Sequence, residues 1–105
     1  MYPYETLLLI DPRRDDVEIE ATLNRFSSLI TERGGQIDAW EKWGRRKLAY
    51  EINDLTDGYY AVCTYALDAS ARADVEAALP FVEGLVRTKT VRRDVRTRGT
   101  KEKKS

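Results

Sequence analysis

Apolar residues along the chain recur with a period of two in some blocks and of three to four in others, the signatures of strands and of amphipathic helices. In YETLLLI, residues 4–10, Tyr4, Thr6, Leu8 and Ile10 share one parity while Glu5, Leu7 and Leu9 share the other. The run has the length and content of a buried strand, with leucine on both faces. DPRRDD then turns the chain, and Asp15 or Asp16 is placed to cap a helix by accepting from its free backbone N–H groups. Ile19, Leu23, Phe26 and Ile30 follow at spacings of four, three and four, an amphipathic stripe that ends at Gly34-Gly35.

From Gln36 the period returns to two. Ile37, Ala39 and Trp43 share one parity, Leu48, Tyr50 and Ile52 share the other, and Gly44 lies between the two sets. A parity change beside a glycine marks a β-bulge or sharp twist, so residues 36–52 are expected to form one long bent strand whose later apolar set serves packing. NDLTDG supplies a hairpin turn, and YYAVCTYAL returns as a third strand. Asp68 or Ser70 opens a second helix, with Val75, Ala78 and Leu79 inward and Pro80 at its end. GLVRTKTVRRDV has the β-branched content of a last strand.

The order strand, helix, strand, strand, helix, strand predicts an α+β, ferredoxin-like split βαβ fold: a four-stranded antiparallel sheet with both helices on one face and the other face open. Right-handed crossovers put the first and third strands in the middle and leave the second and fourth as edges. Both edges carry cations, Lys42, Arg45, Arg46 and Lys47 on one and Arg87, Lys89, Arg92 and Arg93 on the other. The domain is expected to span residues 1–96. Residues 97–105 are expected to form a flexible basic tail, because RTRGTKEKKS has no apolar residue to hold it down.

Composition narrows the function. A chain of 105 residues with 42% hydrophobic content supports one core. One cysteine, Cys63, and no histidine leave no internal disulfide and too few soft ligands for zinc. No metal or other cofactor is expected. No apolar run approaches the ~20 residues that span a bilayer, and MYPYETLLLI lacks the basic start and cleavage site of a signal peptide, so a cytoplasmic protein is expected. The net charge of zero hides an asymmetry: residues 1–85 hold 9 bases and 16 acids (9 − 16 = −7), residues 86–105 hold 9 bases and 2 acids (9 − 2 = +7). Nine cations in the last twenty residues build a local field suited to phosphate.

Catalysis finds little support. General acid–base work at neutral pH most often uses histidine, and nucleophiles need a base beside them. No GxxxxGK[ST] or GxGxxG loop is present. An acylphosphatase-like enzyme of this topology would cradle phosphate in the loop after the first strand, but here the aspartates of DPRRDD flank Arg13 and Arg14 and repel an anion. RNA stacking on the sheet requires aromatics on the third strand in the pattern K/R-G-F/Y-G/A-F-V-x-F/Y. In DGYYAVCTY, Gly58, Tyr59 and Val62 match, but Asp57, Tyr60, Ala61 and Thr64 do not. A stand-alone single-stranded RNA module is therefore the alternative reading. The open face, with Leu7, Leu9 and alternate residues of the tyrosine strand, is expected to present an apolar patch of the kind that meets a protein.

Three stretches together resemble the bacterial small-subunit ribosomal protein six family: Tyr4-Glu5 before an apolar strand, then Gly44, Arg45, Leu48, Ala49, Tyr50 and Ile52 of GRRKLAYEI, then Gly58-Tyr59. The resemblance runs nearly end to end. It implies a non-catalytic role in the platform of the small subunit, in which the chain forms a heterodimer with the eighteenth small-subunit protein and binds small-subunit (16S) ribosomal RNA in the central domain. By position the resemblance assigns Arg45, Arg46, Arg87, Arg92 and Arg93 to phosphate or partner; the cations Lys47, Lys89, Arg96 and Arg98 join them as RNA- or partner-binding candidates on charge, and Leu7, Leu9 and Tyr60 of the open face are the expected partner-protein surface.

Overall fold

The computed structural model describes residues 1–93, and in them the chain forms strand β1 (Tyr2–Ile10), helix α1 (Asp16–Thr31), strands β2 (Gln36–Ile52) and β3 (Leu55–Leu67), helix α2 (Ala69–Ala78) and strand β4 (Leu85–Arg92). The sheet order is β2-β3-β1-β4 with antiparallel pairing throughout. The α+β, ferredoxin-like expectation holds, with β1 and β3 central and both cationic strands at the edges. The expected tail, with Arg96 and Arg98, lies outside the described residues.

Each helix starts where its sequence dictates. Asp15 caps α1, its carboxylate accepting from the Glu18 backbone N–H at 2.8 Å while the Glu18 carboxylate accepts from the Asp15 N–H at 3.0 Å, a reciprocal capping box. Ile19, Leu23, Phe26 and Ile30 are all buried, and with Tyr4, Leu8, Ile10, Cys63, Tyr65 and Leu67 of the sheet they form the main core. Asp68 stands at the start of α2 without a capping bond; its carboxylate lies 3.5 Å from the Met1 amino group. Pro80 belongs to a turn of 3₁₀ helix, Leu79–Phe81, that ends α2.

The two buried threonines, Thr6 and Thr22, are both hydrogen-bonded. Thr6 Oγ1 shares hydrogen bonds of 2.8 Å with the Tyr65 hydroxyl and with Thr90 Oγ1, so Thr90 faces the helices and its hydroxyl is satisfied. Gly84, at φ 90°, lies where an added Cβ would meet Thr22 Oγ1 at 2.8 Å, and that hydroxyl donates to the Glu83 carbonyl at 2.8 Å. The glycine therefore serves both the backbone conformation and the close approach of α1 to the start of β4.

Strand β2 departs from a single bend. Its register against β3 shifts between Ile37 and Ala39, again between Lys42 and Gly44, and once more beyond Lys47. The first shift puts Ile37 and Trp40 on the helix side, where both pack on the main core, and Ala39 opposite Thr64 on the other side. Their expected common parity fails because each bulge inserts a residue and flips those that follow. The hairpin turn is also tighter than NDLTDG suggests. Only Asn53 and Asp54 are outside strands, at φ 51° and 65°, the paired left-handed backbone of a two-residue hairpin loop.

Candidate RNA and partner interface

Beyond Gly58 the β2–β3 hairpin curls over the open face of the sheet. Leu48 and Leu55 come down on Leu9, and the three form a second buried cluster flanked by Ile52, Tyr60 and Val86. Gly58 makes room for this: a Cβ there would meet Leu9 Cδ1 at 2.1 Å and Leu48 Cδ2 at 3.2 Å. Leu9 is thus 4% exposed, and its expected place in an exposed patch is corrected, because the hairpin tip covers it. Tyr50, expected to pack, is instead 70% exposed; next to buried Leu48 and half-buried Ile52 it stands on the outer wall of the curl.

Between that wall and β4 lies a groove of about 190 Å³, floored by Leu7, Leu9 and Tyr60, walled by Tyr50 and Ile52, and rimmed by Arg87, Thr88 and Lys89. The register places Arg87 opposite Leu9 and Lys89 opposite Leu7, so both cations project on the open face. Among the described residues neither meets a carboxylate within 4.0 Å. Five candidates read from the sequence therefore converge on one groove: Leu7, Leu9, Tyr60, Arg87 and Lys89. Ile52 packs on the second cluster as expected and also walls the groove, whereas Tyr50 lines the groove instead of packing; the local signal is Gly58, which lets the hairpin close onto Leu9.

The other cations are dispersed. Arg45, opposite Tyr59, turns to the helix side: its Nε donates to the Pro12 carbonyl at 3.3 Å and Nη2 to the Arg14 carbonyl at 3.2 Å, Nη1 lies 3.6 Å from Asp16, and the guanidinium sits 6.0 Å from the Tyr59 ring centre. Arg46 donates to the Trp43 carbonyl at 3.1 Å across the Gly44 bulge, and Lys47 is exposed beside it. Trp43 is 44% exposed and its ring centre lies 6.3 Å from that of Tyr60. At the end of β4, Arg92 lies 3.7 Å from the Tyr2 ring centre, and Arg93, just past the strand, pairs with Glu5 at 3.1 Å.

The loop after β1 is self-neutralised. Arg13 pairs with Asp11 at 2.9 Å, holding that carboxyl below its ordinary value through the side-chain hydrogen bond, and Arg14 reaches Glu18 at 3.9 Å. Burial pushes the Cys63 thiol up to about 12, leaving no thiolate at neutral pH for nucleophilic chemistry. Among the described residues no cluster of three His, Cys, Asp or Glu side chains could hold a metal ion, and no helix is long and apolar enough to cross a membrane.

Comparison with known proteins points one way. Residues 3–92 match the family model of ribosomal protein S6. The chain is 36% identical to the small ribosomal subunit protein bS6 of Paenarthrobacter aurescens over 92 residues, 88% of this chain and 91% of that one. It is 35% identical to bS6 of Desulfitobacterium hafniense over 94 residues, covering 90% and 99%. The crystal structure of 30S ribosomal protein S6 from Thermotoga maritima superposes with a TM-score of 0.86 at 30% identity over 98% of both chains. The C-terminal domain of MgtC from Mycobacterium tuberculosis, at TM-score 0.59 and 6% identity over 89% and 88%, shares the fold alone.

Proposed function

The chain belongs to the ribosomal protein S6 family of the small ribosomal subunit, and from that premise we propose that it binds small-subunit ribosomal RNA in the central domain as a heterodimer with the eighteenth small-subunit protein. A member of this family is a structural component of the ribosome, not an enzyme. The division of labour follows from charge and exposure. Arg46 and Lys47 at the bulge, with Arg92 and Arg93 at the end of β4 and Arg96 and Arg98 outside the described residues, neutralise phosphate. Arg45, tied to two backbone carbonyls and to Asp16, positions the loop after β1, whereas the side chains of Arg46, Arg92 and Arg93 each make a single polar or ring contact among the described residues. The open face with Leu7, Tyr60 and the hairpin wall takes the partner.

The observation that carries this reading is the open-face groove, an apolar floor under two cations with no carboxylate partner among the described residues. Apolar surface kept at the centre of an otherwise charged face suits a protein contact. A partner also explains how a chain of zero net charge holds a polyanion: the second protein supplies cations that this one lacks.

The test is binding of a central-domain RNA fragment with and without the eighteenth protein, for the full chain and for a chain ending at residue 96. Tight binding only with both proteins, weakened by the truncation, supports the reading. Equal affinity without the partner overturns it in favour of a stand-alone single-stranded RNA module. That second reading has Trp43 beside Tyr60 in its favour, since half-exposed aromatics stack bases, and it requires tryptophan fluorescence to respond to single-stranded RNA alone.

A further inference from the structure

We propose that the open-face groove accepts one extended apolar-and-acidic segment of the partner protein, with an aliphatic or aromatic side chain against Leu7, Tyr50 and Tyr60 and a carboxylate between Arg87 and Lys89. The inference rests on the partner reading above and specifies what enters the site. Size is the first argument. A volume of about 190 Å³ is below the roughly 300–1,000 Å³ of small-molecule and cofactor sites, and matches the entry of one or two side chains.

Charge is the second. Arg87 and Lys89 are two residues apart on the same strand and face, which spaces their Cα atoms by about 7 Å and brackets a single carboxylate. Both are exposed and beside leucine and tyrosine side chains, so an acid docking there would be partly desolvated and its attraction strengthened. Two cations next to apolar floor repel a basic segment. The chain's own residues 94–105, with 5 bases and 2 acids (5 − 2 = +3), are for that reason the wrong occupant.

Shape is the third. Strand β4 is outermost in the sheet, and Thr88, which pairs with Leu8 on the helix side, also lines the groove. The groove therefore borders the backbone of β4, the outermost strand. An extended segment laid along it turns alternate side chains onto the floor and the others to solvent.

The experiment places p-benzoylphenylalanine at position 50 of the full chain, irradiates the purified heterodimer with the eighteenth protein, and maps the cross-link. In parallel, heterodimer affinity is measured for R87E/K89E and for R87K/K89R, with thermal melts to check folding. The expected result is a cross-link to a partner segment carrying an acid within two positions of an apolar residue, at least a tenfold loss of affinity on charge reversal, and affinity within about threefold of the original for the conservative pair. A cross-link only to a second copy of this chain or to a segment without acids overturns the inference, as does unchanged affinity of R87E/K89E. In those cases the heterodimer itself still forms. Failure of the unsubstituted chain to form any heterodimer removes the partner reading, and this inference with it.

Discussion

Arg45 lies in the most cationic stretch of the chain, yet its guanidinium is turned toward two carbonyls of the loop between β1 and α1. Its side chain is 48% exposed and Asp16, its acidic neighbour, is 91% exposed, so the ion pair adds little and the hydrogen bonds to backbone carry the effect. Arg45→Ala is expected to cost about 1 kcal/mol in urea unfolding, with no change in the salt dependence of RNA binding. Arg45→Lys should recover little, since an ammonium cannot span two carbonyls as the planar fork does. An unchanged urea midpoint, together with a flatter salt slope, would show Arg45 to be an RNA contact instead. Asp11 belongs to the same loop. Arg13 depresses its folded pKa below 3.8, first through the side-chain hydrogen bond, so the stability it contributes is full above the ordinary carboxylate value and is lost as pH falls through the lower folded one. Acid unfolding followed by circular dichroism should show a shallower loss below about pH 4 for Asp11→Asn than for the unsubstituted chain, with no difference between them in slope near neutrality.

At the scale of elements, the β2–β3 hairpin separates what the sequence tells from what it hides. The length of β2, the bend at Gly44, the stripe of α1 and the Asp15 cap were all legible, because each depends on residues within a few positions of one another. The curl of the hairpin tip was not. It depends on three register shifts, each of which reverses the parity read from the apolar pattern, and on a contact between Leu9 and Leu48 across 39 positions (48 − 9 = 39). The same contact converts Leu9 from surface to core and Tyr50 from core to surface. Gly58 is the local residue that permits it, and Gly58→Ala is the sharpest test. The new methyl overlaps Leu9 and crowds Leu48, so a loss of about 1–3 kcal/mol is expected from overpacking. The double variant Gly58→Ala/Leu9→Val should lose less than the sum of the two singles, because trimming Leu9 vacates the space the methyl needs. Strict additivity in denaturant melts would mean that the hairpin tip does not rest on β1.

For the whole molecule, charge and shape act together. The described residues extend over 39 × 34 × 20 Å, whereas salt screens exposed charges beyond roughly 8 Å at physiological ionic strength. The −7 of residues 1–85 therefore does not cancel the +7 of residues 86–105 at a distance, and a neutral chain can still present a phosphate-binding end. This asymmetry, the edge positions of the cations and the fold itself were readable from the sequence. Which cations meet which ligand was not, since alternate residues of one strand face opposite ways: Arg87 and Lys89 rim the open-face groove, while Arg92, one parity over, lies on Tyr2. The two groups should part in their salt dependence. Neutralising a phosphate releases counterions, so Arg46→Ala or Lys47→Ala should flatten the plot of log affinity against log salt for RNA binding by the heterodimer by about one unit each. Arg87→Ala and Lys89→Ala should leave that slope in place, provided measurements are made at protein concentrations where the heterodimer is fully formed, and should instead raise the concentration needed to form it. If all four substitutions flatten the slope alike and leave dimer assembly untouched, the cations form one continuous RNA surface, and the apolar groove between them needs a different occupant.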